Sequence, residues 1–138
     1  NSGWAKIQGP SNGINLQKIS PYENYNYSEP EFAWEIPVGV TAIEFPNLND
    51  FKQYQDFLFV ADTNNGTIYK FKLDESRNFF IFESPHLQDN VLDRMDNYDM
   101  DEIVFAQNFG IISDMKFGPD GALYVISLME GKIYKIST

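Results

Sequence analysis

The sequence predicts an all-β chain built from two copies of one strand-rich unit, and three observations lead there. TAIEF followed by DFLFVADTNNGTIYKF recurs as SDMKF followed by GALYVISLMEGKIYKI, with Thr41 and Ser113 about 72 residues apart, a spacing that suits four-stranded, blade-like repeats. The turns are chemically explicit, Asn65-Gly66 in one place and Gly118-Pro119-Asp120-Gly121 in another. The strands are apolar on both faces, with Phe57, Phe59 and Ala61 alternating with Leu58 and Val60, as strands are when they lie between two layers.

The elements follow in order. Residues 1–40 are rich in Gly, Pro, Asn, Ser and Tyr, with GPSNG at 9–13 and SEPEF at 28–32, and read as long loops with short strands at most. Residues 41–84 form the first unit: a strand ending at Phe45, strands Phe57–Ala61 and Thr67–Phe71, and a fourth strand at Phe79–Glu83. Its first connection, Pro46 to Asp56, is seven residues longer than Gly118 to Gly121, and an insertion of that kind belongs on a loop. Asn-Gly favours a type I′ hairpin with positive φ at both central residues. Gly-Pro-Asp-Gly sets φ by proline and takes the left-handed position with glycine. Asp62, Asn64 and Asn65 have the oxygens of a cation loop, but such a loop needs further oxygens and a terminal Glu at set spacing, so a plain turn is the better reading.

Residues 85–110 connect the two units. Leu87, Val91, Leu92 and Met95 recur at helical spacing after Ser84-Pro85 and predict a short helix, and Ile103–Phe105 reads as a brief strand. The acidic run Asp93, Asp96, Asp99, Asp101 and Glu102 reads as solvated charge before it reads as a cation site. Residues 111–138 form the last, incomplete unit. The single histidine, His86, has no nucleophile or orienting partner in the sequence around it. Two units do not close a ring, so the chain, which starts at Asn1, is expected to be a piece of a longer protein or to self-associate through exposed unit faces.

Bulk properties exclude several classes. A formal net charge of −10 with ten scattered Lys and Arg argues against nucleic acid as a partner, because phosphate backbones are held by clustered cations. Twelve Phe, eight Tyr and two Trp indicate a packed core with an acidic surface rather than a disordered acidic tail. The absence of Cys removes disulfides, thiol nucleophiles and Cys-based zinc sites. No apolar run approaches membrane-spanning length. No G-x-S-x-G, H-E-x-x-H or phosphate-binding glycine loop is present.

NSGWA at 1–5, FAWEIPVGVTAIEF at 32–45 and the repeat region ending GPDGALYVIS together resemble the carboxy-terminal part of the soluble quinoprotein sugar dehydrogenases, the glucose/sorbosone dehydrogenase family of six-bladed β-propellers that use pyrroloquinoline quinone (PQQ) and calcium. The resemblance implies a propeller fragment of about two four-stranded blades, extracellular or periplasmic, whose parent acts on a small carbohydrate. It implies no catalytic residue and no metal here, since in the family both lie upstream of the segment matched by NSGWA. Cofactor contacts carried over by position fall on Trp34, Asn64 and Ser113. Asn64 stands where the family has a Lys, and Ile111 and Ser113 where it has two Arg. Asp114 alone retains the family residue, so no cofactor is expected for this chain. Trp34 either lines the corresponding pocket or packs between blades. The sequence therefore supports a non-catalytic portion of an oxidoreductase, with a cofactor-free binding propeller as the alternative and a metal-dependent, lactonase-type propeller hydrolase behind it.

Overall fold

The computed structural model describes residues 7, 9–11, 27–46, 51–94 and 100–137, and across them the chain is all-β. NSGWA at 1–5, Met95, Asp96 and Asp99 lie outside the described residues. The strands are β1 (Ala33–Trp34), β2 (Val40–Glu44), β3 (Phe57–Asp62), β4 (Thr67–Lys72), β5 (Val91–Leu92), β6 (Val104–Ala106), β7 (Ile112–Phe117), β8 (Leu123–Ser127) and β9 (Lys132–Ile136), with one helical turn, α1 (Met100–Ile103). They form a four-stranded sheet in the order β2-β3-β4-β6, a three-stranded sheet β7-β8-β9 and a parallel pair β1-β5.

The apolar strands build two cores on opposite sides of the four-stranded sheet. Phe59, Ala61 and Ile68 pack against Ile112, Met115, Leu123 and Val125 of the second sheet. Val60, Tyr69 and Phe71 pack against Phe32, Leu87, Leu92 and Ile103 on the other side. The period of two along β3 sends alternate residues to opposite cores, which is why that strand has no polar face. The sheets also meet edge to edge, where Thr41 Oγ1 donates to the Ile112 carbonyl (3.0 Å) and Lys116 Nζ lies 2.8 Å from Glu44 Oε1.

Three local expectations are corrected. The fourth strand of the first sheet is β6, not Phe79–Glu83. The latter segment makes a single bridge, Leu73 to Phe80. Asp74 ties the chain into a tight loop there, accepting the N–H groups of Asn78 (2.8 Å) and Phe79 (3.1 Å), while Phe80 and Phe82 turn in beside Phe71.

The helix expected from Leu87, Val91, Leu92 and Met95 is instead one 3-10 turn, Pro85–Leu87, capped by the Ser84 hydroxyl accepting His86 N–H (3.2 Å). Asn90 at φ 60 ends it, because a left-handed residue cannot continue a right-handed helix. Val91–Leu92 then leaves as a strand beside β1.

The Asn65-Gly66 hairpin is not type I′. Asp62 pairs with Thr67, so residues 63–66 make a four-residue loop in which Gly66 alone has positive φ (62). The buried Asp62 carboxylate fixes that loop. It accepts N–H from Gly39 (2.8 Å), Asn64 (2.8 Å) and Asn65 (3.2 Å) and the Asn65 side-chain amide (2.8 Å). Four donors organised by one acid replace the dipeptide preference as the determinant of the turn.

Candidate functional site

A cleft of ≈ 390 Å³ opens at the end of the four-stranded sheet where β3 turns into β4. Each wall comes from a different segment. β1 contributes Trp34, followed by Ile36 and Val38; the loop and β4 contribute Asn65, Thr67 and Tyr69; Asp93 and Arg94 follow β5; and Gln107 and Asn108 follow β6. The β1-β5 pairing, with Ala33 N–H on the Asn90 carbonyl (2.9 Å) and Glu35 N–H on the Leu92 carbonyl (3.0 Å), carries Trp34 and Arg94 to the same rim. Glu35 Oε2 accepts the Arg94 main-chain N–H (2.7 Å) and fixes the chain where the guanidinium departs.

Trp34 is held by rings. Its indole lies 4.9 Å from Phe32, 5.3 Å from Tyr69 and 5.9 Å from Phe71, centroid to centroid. Its Nε1 is buried and has no hydrogen-bond partner among the described residues. Tyr69 is 2% exposed. Burial, followed by the nearby Asp62 carboxylate, pushes its phenol up to about 12, so it remains a neutral hydroxyl throughout the physiological range. The cleft therefore combines two aromatic walls, a neutral phenol, three side-chain amides, a threonine hydroxyl and one guanidinium beside one carboxylate.

The cleft gathers only part of what the sequence singled out. Trp34 lines the cleft and packs against Phe32, Tyr69 and Phe71 on the side of the four-stranded sheet away from the second sheet, and Asp93 from the acidic run is also in the wall. Asn65 lines the cleft, whereas Asn64 does not: its side-chain amide reaches the Pro37 carbonyl at 3.5 Å. Ser113 lies exposed on β7, Ile111 is 41% exposed, and Asp114 Oδ1 accepts the N–H of Met115 (2.9 Å). None of these three is in the cleft wall. Asp62 is consumed by the turn, and no group of three or more His, Asp or Glu able to hold a metal ion occurs among the described residues. His86 sits exposed on the 3-10 turn, away from the cleft.

Tyr69, Arg94, Gln107 and Asn108 were missed. The only sequence signal was the Tyr of IYK, present in both repeats as Tyr69 and Tyr134; the other three meet only through tertiary pairing. A second hollow of ≈ 360 Å³ holds Lys70, Lys72, Glu83 and Glu102. There Glu102 is already engaged by the N–H groups of Glu83 (2.7 Å) and Ser84 (3.0 Å). No family model, curated protein or solved structure matches the chain, and no helix among the described residues is long and apolar enough to cross a membrane.

Proposed function

We propose that the chain is a two-blade portion of a sugar-handling β-propeller of the glucose/sorbosone dehydrogenase type, non-catalytic in itself, and that it binds a neutral polyhydroxy ligand in the Trp34 cleft. The cleft is the observation that carries this reading. Its volume falls in the range of small-molecule sites, which are largely apolar with a few placed polar groups. Trp34 and Tyr69 offer aromatic surface, while Asn65, Gln107 and Asn108 offer both donors and acceptors, the mixture that hydroxyl groups require. The recurrence of β2-β3-β4 as β7-β8-β9, with one sheet packed on the other, supports the propeller assignment.

The donor set does not fit PQQ. Its several carboxylates need cationic partners, and the cleft wall provides only Arg94, next to Asp93.

Calorimetric titration with a panel of monosaccharides and alditols is the test, with PQQ plus calcium as the contrasting ligand. Saturable saccharide binding is expected, lost in Gln107→Ala and in Arg94→Ala at unchanged fold by circular dichroism. Tight PQQ binding, or saccharide binding indifferent to both substitutions, would refute the assignment.

A further inference from the structure

The two sheets repeat one another, yet their equivalent faces are covered differently. In the first sheet the register sets Glu44, Phe59 and Lys70 side by side in one cross-strand row and Ala42, Ala61 and Ile68 in another. Phe59, Ala61 and Ile68 are completely buried there, under the second sheet. The equivalent rows of the second sheet are Lys116, Tyr124 and Lys135, then Asp114, Ile126 and Ile133. Among the described residues nothing covers them, and Ile126 is 39% and Ile133 69% exposed.

We propose that on this outer face of β7-β8-β9 a second copy of the chain takes the place that a neighbouring blade holds in a propeller, forming a twofold, sheet-on-sheet dimer, a contact independent of the Trp34 cleft. Charge selects the occupant. The face carries Lys116 and Lys135 against Asp114, with Asp120 and Glu44 at its rim, so among the described residues it is close to neutral in a chain of formal net charge −10. Two copies that meet here bring together a nearly neutral patch rather than opposing like charge.

Head-to-tail stacking is closed off as well. It would need the far face of the first sheet, and Val60, Tyr69 and Phe71 there are already buried beneath Phe32, Leu87 and Leu92. The outer face of the second sheet is left to meet its own copy, which makes the contact isologous and self-limiting at two.

The order of the rows fixes the axis. With the twofold running along the rows and between them, each row lies over the other row of the second copy. Lys116 then meets the second copy's Asp114, Tyr124 covers Ile126, and the methylenes of Lys135 cover Ile133. An axis along the strands would instead oppose Lys116 to Lys135. The cations are already positioned within each chain, Lys116 by Glu44 and Lys135 by Asp120, both at 2.8 Å, and Tyr124 Oη donates to Asp120 Oδ2 at 2.8 Å.

Light scattering and sedimentation of the full chain, at concentrations up to about 100 µM where a micromolar dissociation constant populates a dimer, should show a dimer. Ile133→Lys should leave the melting temperature of the monomer unchanged and raise the dissociation constant at least about tenfold, as removal of a buried aliphatic contact requires. Asp114→Lys should weaken association likewise, and Asp114→Asn, which removes the charge without opposing Lys116, should weaken it less. A chain that stays monomeric at every concentration, one that grows to trimers or open-ended assemblies, or a dimer indifferent to Ile133→Lys overturns the proposal.

Discussion

Gly66 and Gly131 occupy the same position in the two repeats and share the same backbone, φ 62 in each, but only Gly66 is crowded. A Cβ on Gly66 would come within 2.4 Å of the Gly110 carbonyl oxygen and 2.6 Å of its nitrogen, whereas a Cβ on Gly131 meets nothing within 4 Å. Two separate costs can thus be told apart. A left-handed conformation costs a residue with a Cβ about 1–2 kcal/mol, and that is the full penalty expected for Gly131→Ala. Gly66→Ala should lose more, because the second sheet is tied to this turn through Phe109 N–H on the Gly66 carbonyl (3.1 Å) and the chain at Gly110 would have to move away. Urea denaturation of both variants measures the difference, and equal losses would show that the approach of Gly110 contributes nothing. The same pair of positions shows what the sequence could reveal here. Asn-Gly correctly marked a turn with glycine left-handed, but Asp62, the residue that organises the loop, sits at the end of the strand and was legible only once its four donors were placed around it.

At the scale of elements, the inserted connection between β2 and β3 plugs the core rather than decorating a loop. Phe51 is 0% exposed and packs its ring against Tyr54, Phe59, Phe105 and Phe117, with centroids 5.1–6.2 Å apart. It thereby joins the insertion, both sheets and β6. The 3-10 turn Lys52–Tyr54 follows immediately, with Tyr54 N–H on the Phe51 carbonyl at 2.8 Å, and holds the ring in place. Phe51→Ala should cost about 3–5 kcal/mol, the range for emptying a buried aromatic site, and chemical denaturation monitored by circular dichroism checks it; a loss under about 1 kcal/mol would return the insertion to the status of a surface loop. The hairpins β3-β4 and β8-β9 were legible because alternation and turn chemistry are local properties. β6, Phe51 and the cleft were not, because each exists only by contact between segments distant in sequence. Gln107 and Asn108 enter the cleft wall because β6 takes the edge of β4, and β6 takes that edge because Asp74 has already pulled Phe79 and Phe80 into a loop.

The whole molecule is organised around one shared element. The four-stranded sheet gives Phe59, Ala61 and Ile68 to one core and Val60, Tyr69 and Phe71 to the other, so neither core has a complete wall without it. Adjacent residues of β3 serve different cores, and loosening one core exposes the backbone ladder on which the other rests. Such coupling predicts a single cooperative unfolding transition for the chain, as small domains generally show, despite its two-repeat construction. Leu87→Ala empties the core on the Trp34 side, and Val125→Ala the core between the sheets; both residues are 0% exposed. Leu87→Ala should cost about 2–5 kcal/mol and Val125→Ala somewhat less, having fewer methyl groups to lose. In each variant, far-ultraviolet circular dichroism, which follows both sheets, and tryptophan fluorescence, to which Trp34 contributes from one core, should move together to one new midpoint. Separation of the two signals in Leu87→Ala, with the ladder of β7-β8-β9 persisting after the fluorescence change, would mean that the second sheet holds itself together without the first.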